Sequence, residues 1–136
     1  MGECIFCKIV AGELSSFKVY EDDETFAFLD IRPVNPGHTL VVPKHHSVNI
    51  FDVGAEDWTA VIKVVRSLSA VIERATEADG ININMNNREH AGQVVDHLHV
   101  HIIPRFKGDG FKLWHQTPYK EGEAVKVQKK IKAQLS

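Results

Sequence analysis

The sequence predicts an α+β domain: an antiparallel sheet of about five strands, covered on one face by one long helix, with a short helix at the N-terminus. Three observations predict it. Short stretches of period-two alternation stand on both sides of a single long stretch of helical period. Strands come first, then the helix, then strands again, which is not the strict alternation of a parallel sheet. The segments between them are short and carry proline, glycine or asparagine.

At 136 residues, 43% hydrophobic and 25% charged, the chain has the size and composition of one soluble globular domain, so residues 1–136 are expected to fold as a unit. A net charge of -2 provides no basic footprint, so nucleic acid is not expected as a partner and any anionic ligand needs a local site. The N-terminus, "MGECIFCKIV", has no basic leader or long apolar run, and no stretch approaches the roughly 18 apolar residues that span a bilayer. A cytoplasmic protein without membrane partners is the expectation.

Each element has its own signal. "IFCKIVAGEL" places Ile5, Phe6, Ile9 and Val10 at helical spacing, with Gly12 near the stop. "FKVYEDD" and "TFAFLDI" read as a hairpin around an acidic turn, and "RPVNPGH" as a loop. "HTLVVPK" is a third strand, ended by Pro43. From Ala55 to Asp79 runs the long helix, with Trp58, Val61, Ile62, Val65, Leu68, Ser69 and Ile72 as its apolar stripe and Gly80 closing it. "ININMN" alternates strictly and starts a fourth strand, "NREHAGQ" is a polar loop, and "VVDHLHVHIIPR" is a fifth strand ended by Pro104. The tail "EAVKVQKKIKAQLS" reads as a basic amphipathic helix with weak patterning.

Chemistry concentrates in "DHLHVHIIPR", residues 96–105, where His97, His99 and His101 occupy alternate positions. On a strand these three project to one face, while Leu98, Val100 and Ile102 project to the other and can enter the core. Three imidazoles within about 7 Å of one another repel if all are protonated, so some must be neutral or paired with an anion or a metal. The only cysteines, Cys4 and Cys7, form a C-x-x-C with no strand before it. Three readings stay open at this point: half of a zinc site, two unrelated thiols, or a redox pair.

"HLHVHII" matches the histidine triad signature. "CIFCKIVAGEL", "VYEDDETFAFLDIRPVNPGHTLVVPKHH", "NMNN" and "AGQVVDHLHVHIIPR" resemble the successive blocks of the histidine triad family of nucleotide hydrolases and transferases, over residues 4–106. The resemblance implies a histidine triad fold with His99 as a nucleophile toward the α-phosphorus of a nucleotide. It further implies His101 and Gln93 as phosphate contacts, aided by backbone N–H groups near Gly92. Phe6, Ile9, Phe28, Leu29 and Ile31 are implied as a slot for the base, although Ile9 and Phe28 read equally well as core. Asp30 would accept the ribose hydroxyls, and Asn86 would lie near the ribose and leaving group. In the zinc-containing branch of the superfamily, a C-x-x-C joins the first triad histidine and one after the "VPK" strand. That implies Cys4, Cys7, His97 and His46, with the adjacent His45 a competitor, around a structural zinc. A purine nucleoside monophosphate is the implied product, and the implied assembly is a homodimer in which the sheets of two protomers join and the long helix lies at the interface. Tail residues 107–136, beyond the resemblance, are expected to be packed or dimer-related.

Two residues depart from the family pattern. Val94 stands where phosphoramidase-type members carry a hydroxyl, and Asp96 precedes the triad where an apolar residue, aromatic residue or proline is frequent. A nucleotide-binding module with little turnover, and a nucleotidyl transferase, are therefore alternatives to a hydrolase. A site in which the triad itself ligates a catalytic zinc is a further one. His38 and His90 read as structural or loop residues.

Overall fold

A computed structural model describes residues 3–135. Five strands form one antiparallel sheet: β1 (Lys18–Glu21), β2 (Thr25–Leu29), β3 (Thr39–Pro43), β4 (Gly80–Asn84) and β5 (Val100–Arg105), in the order β1-β2-β3-β5-β4. Helix α1 (Ile5–Val10) precedes the sheet, α2 (Ala55–Thr76) connects β3 to β4, and α3 (Glu123–Gln134) ends the chain. No helix among the described residues is long and apolar enough to cross a membrane.

Alternation along the strands separates two cores. Ala27, Val41, Val100 and Ile102 point to one face and pack with Val61, Val64, Val65, Leu68 and Ile72 of α2. Phe26, Phe28, Leu40 and Val42 point to the other face, where Phe6 of α1 closes over them. Burying each such side chain contributes roughly 1.5–3 kcal/mol, so both faces are strongly specified. Leu40 stands opposite His101 in the sheet register, so the strand face under α1 is also the face that carries His101.

Several boundaries differ from the expectation. Helix α2 ends at Thr76 with Glu77 in the left-handed region (φ 56°), and Gly80 opens β4 instead of closing the helix. In its stripe Val64 is buried, whereas Ile62 is exposed. Strand β5 starts at Val100, because the chain before it is held by Leu98 N–H donating to Ser47 O (2.8 Å) rather than by a neighbouring strand. His97 and His99 thus lie on its extended approach, yet Leu98, Val100 and Ile102 are all buried beside α2.

Pro104 lies inside β5, paired with Ile81 of β4. The pairing of β3 with β5 stops at Thr39 and Ile102, so the N–H that Pro104 lacks would have faced no strand. Its carbonyl accepts from Asn35 Nδ2 (2.9 Å) instead. Gly37 lets this loop press against α2: φ is +99°, and a Cβ there would meet Thr76 at 2.6 Å.

Candidate active site and metal centre

Two groups of side chains meet on either side of His99. In the first, α1 brings Cys4 and Cys7 to the segment after β3 and to the approach to β5. Cys4 Sγ lies 3.4 Å and Cys7 Sγ 3.5 Å from His97 Nδ1; Cys7 Sγ lies 3.3 Å from His46 Nδ1, and the two Nδ1 atoms are 3.2 Å apart. His97 Nε2 donates to Pro43 O (2.8 Å), so its Nδ1 carries no hydrogen and turns a lone pair toward the sulfurs. A tetrahedron with metal–sulfur bonds of about 2.3 Å and metal–nitrogen bonds of about 2.1 Å has edges of roughly 3.4–3.8 Å, close to these separations. The cluster is one that can hold a metal ion.

Without a cation the arrangement is costly. Burial, and then the hydrogen bond and charge of Cys4, pushes the Cys7 thiol up to about 11. Burial pulls His97 down to about 4, assisted by His46 and His99 nearby. Adjacent His45 does not compete for the cluster: it is 89% exposed and turned to Asp57 (3.4 Å).

The second group settles tautomers by a chain of donors. Val34 N–H can only donate, and it donates to His38 Nδ1 (3.0 Å). His38 Nε2 must then carry the hydrogen, which goes to His101 Nδ1 (2.9 Å). His101 is left with an Nε2–H that is buried and has no partner. An unmet buried donor costs about 1–3 kcal/mol, so a ligand that accepts from it would be favoured here. Burial, followed by the charges of His99 and His38, lowers His101 to about 4, and burial also lowers His38, so neither carries charge at neutral pH.

His99 sits between the groups. Its Nδ1–H donates to His97 O (2.7 Å), which leaves the Nε2 lone pair free. Burial holds its pKa below the usual histidine range, keeping that lone pair unprotonated. Phe6 stands edge-on to the ring at 5.1 Å between centroids, and His101 lies 5.0 Å away. A nucleophilic lone pair and an unsatisfied N–H donor thus stand side by side.

The other expected residues differ in burial and in what they touch. Phe6 and Phe28 meet edge-on at 5.3 Å and are buried, with Ile9 packed beside them. Leu29 is half-buried, and Ile31 is 81% exposed. Asp30 Oδ1 accepts Arg32 N–H (2.8 Å), while Oδ2 lies 3.7 Å from His38 Nε2. Asn86 Nδ2 approaches Gly92 O (3.4 Å), and at φ +97° Gly92 takes a conformation that side chains rarely adopt.

Gln93 is buried, but its amide is committed to the protein. Nε2 donates to Val48 O (2.6 Å) and Val95 O (3.0 Å), and Oε1 accepts from Arg88 N–H (2.8 Å) and Asn49 Nδ2 (3.4 Å). The side chain therefore staples the loop, with no hydrogen left for a phosphate. Arg88 pays in strain for this staple: φ 77°, ψ 157° is a region essentially reserved for glycine and costs on the order of 1–3 kcal/mol. Val94 follows, 91% exposed, and its N–H has no partner among the described residues.

Sequence reasoning missed His38 and Asn49. His38 was expected to be structural, and it is buried, yet it also sets which nitrogen of His101 bears hydrogen. An ionisable residue leading directly into the β-branched and apolar strand "TLVV" was the available signal.

A free imidazole lone pair and an unmet donor thus stand beside a Cys/His cluster that can hold a metal ion, on a fold shared with known proteins. The HIT domain family matches residues 11–108, and the chain belongs to that family. It is 41% identical over 106 residues to adenosine 5'-monophosphoramidase HNT1 of Candida albicans, covering 75% of this chain and 70% of that one. A solved structure from Streptococcus mutans superposes with a TM-score of 0.94 at 39% identity, covering 100% of this chain, C-terminal segment included, and 87% of that one. A zinc-bound histidine triad family protein from Mycobacterium smegmatis superposes with a TM-score of 0.77 at 36% identity, covering 98% and 96% of the two chains.

Proposed function

We propose that this chain is a hydrolase of nucleoside monophosphate derivatives, such as phosphoramidates or dinucleoside polyphosphates, acting through a covalent nucleotidyl-His99 intermediate. The observation that carries the reading is the free Nε2 lone pair of His99 beside the unpartnered Nε2–H of His101. The Nε2 pair attacks the α-phosphorus, and the bond to the leaving group breaks with its electron pair going to the leaving oxygen or nitrogen. The positive charge that develops on the ring is held at Nδ1–H by His97 O. His101 Nε2–H and the Val94 N–H donate to the phosphoryl oxygens as negative charge develops there. Water then attacks phosphorus, the P–N bond returns its pair to His99, and a proton leaves with the solvent.

Asp30 Oδ2 accepts the ribose hydroxyls, and Asn86 lies beside the ribose and leaving group. Phe6, Ile9, Phe28, Leu29 and Ile31 flank a purine base. Gln93 acts by holding the Gly92–Val94 loop. Cys4, Cys7, His46 and His97 hold zinc as a closed four-ligand set, which ties α1 to the approach to β5 and supplies no open position for water. The protein works in the cytoplasm as a homodimer.

The test is a turnover panel of adenosine phosphoramidate, a dinucleoside polyphosphate and a nucleotide sugar, with phosphorus NMR of the products. Release of nucleoside monophosphate from at least one is expected. A second reading rests on Val94, which offers no hydroxyl to the leaving group: nucleotide affinity with no turnover on any of the three favours a binding module instead.

A further inference from the structure

We infer that the C-terminal arm is exchanged between two copies of this chain, with α3 of one copy seated in the groove between α2 and β1 of the other. The inference rests on the homodimer proposed above and adds the segment that joins it. Helix α3 has no buried residue, unlike α1 and α2. Ala124, Val127, Ile131 and Leu135 nevertheless share one side of it, at three- and four-residue spacing. Lys130 and Lys132 flank the stripe, one on each side, and Lys126 and Lys129 lie opposite it. On its own copy the stripe has no buried residue: Val127 is partly covered, and Leu135 is 78% exposed.

The departure of the arm is built rather than loose. Asp109 receives Arg105 Nε (2.8 Å) and Nη2 (3.0 Å), Asn35 Nδ2 (3.1 Å), and the N–H groups of Phe106 and Phe111. That clamp fixes where the chain leaves the sheet. From 112 to 119 no described residue makes a hydrogen bond, and Trp114 is 85% exposed. The 17 residues from 106 to 122 can span at most about 50–60 Å, ample to reach a second copy. An amphipathic helix whose apolar stripe stays largely open on its own copy leaves that stripe for a partner.

Charge identifies the receiving surface. The chain as a whole carries -2, while α3 carries four lysines against Glu123, so the remainder is acidic. Helix α2 does not cover β1, whose residues are all exposed, and a groove of about 430 Å³ runs between them. Its floor is Tyr20, Ala60, Val64 and Leu68; Asp22, Glu24 and Glu56 rim it, against Lys63. Neither Glu24 nor Glu56 has a basic partner among the described residues. An apolar floor with an acidic rim is the complement of an apolar stripe bordered by lysines.

The experiment places a benzophenone amino acid at position 131 of the full chain and irradiates a mixture of ¹⁴N- and ¹⁵N-labelled protein. Cross-links of mixed isotope to residues 18–24 or 55–68 are expected. Cross-links only within one copy, or to another segment of the partner, overturn the inference. Lys130→Glu with Lys132→Glu should weaken the dimer about tenfold, and Glu24→Lys with Glu56→Lys in the same chain should restore it. An unchanged dimer constant sinks the exchange while leaving the dimer standing; a monomeric wild type with full turnover removes both and leaves the hydrolase reading intact.

Discussion

The two histidine clusters flanking His99 use the same side chain in opposite ways. Around His97, lone pairs converge: two sulfurs and two Nδ1 atoms lie within 4.8 Å of one another, with both sulfurs and the His46 Nδ1 at 3.2–3.5 Å from the His97 Nδ1. Around His101, donors and acceptors alternate: Val34 N–H to His38, His38 to His101, and His101 to whatever ligand arrives. Convergent lone pairs call for a cation, whereas a donor chain ending in an unmet N–H calls for an anion. What separates the two roles is one hydrogen bond at the far side of each ring, from Pro43 O in one case and from Val34 N–H in the other. The ring in the middle has its Nδ1–H committed to His97 O and is left with neither a metal nor a proton at Nε2.

If that contrast governs the chemistry, perturbing each cluster should fail differently. His99→Ala should cause the largest loss, about 10⁴-fold or more in kcat, with nucleotide affinity retained within several-fold by calorimetry. Cys4→Ser comes next: metal analysis should show the loss of one zinc per chain, with a stability loss of several kcal/mol by denaturant titration, because the remaining buried lone pairs have no cation. His38→Phe keeps the ring volume but removes the donor to His101, and should lower kcat about 10- to 100-fold without releasing metal. If it released metal, the clusters would not be independent.

The pH dependence is smaller and has a definite sign. Burial depresses His101 to about 4 and also lowers His38, so between about 6.5 and 4 the unfolded chain binds protons that the folded chain refuses. Stability should therefore be full above about 6.5 and fall as the pH drops through that window, by on the order of 2–3 kcal/mol for His101. Thermal melts of the metal-replete protein should show a shallower slope for His101→Asn. Least of all, His45→Ala should leave zinc content and turnover unchanged, since its ring faces Asp57 and solvent.

Most of the fold was legible because burial repeats along the chain. "TFAFL" and "TLVVP" are strands buried on both faces, and Leu98, Val100 and Ile102 kept their alternation even where the ladder had not yet begun. The ends were harder to read. Glu77 takes the left-handed cap that Gly80 was expected to provide, and Pro104 is tolerated within β5 because β3 has already ended; both depend on neighbours far along the chain. The Cys/His cluster was legible as a set of residue types, and the resemblance already favoured His46 over His45; what turns His45 away, toward Asp57 and solvent, is the direction of the chain after Pro43. His38 and the committed amide of Gln93 were not legible at all. Their roles lie in which atom bonds to which, and spacing carries no information about that.

The claim that His99 is the nucleophile is tested most directly by trapping the adduct. Acid-free quenching during turnover of an adenosine phosphoramidate, followed by peptide mass spectrometry, should find one adenylyl group on the peptide containing His99. Phosphorus NMR should show a P–N resonance that is lost in His99→Ala. An adduct on His97 or His101, or turnover at the wild-type rate with no adduct at any time point, would contradict the account.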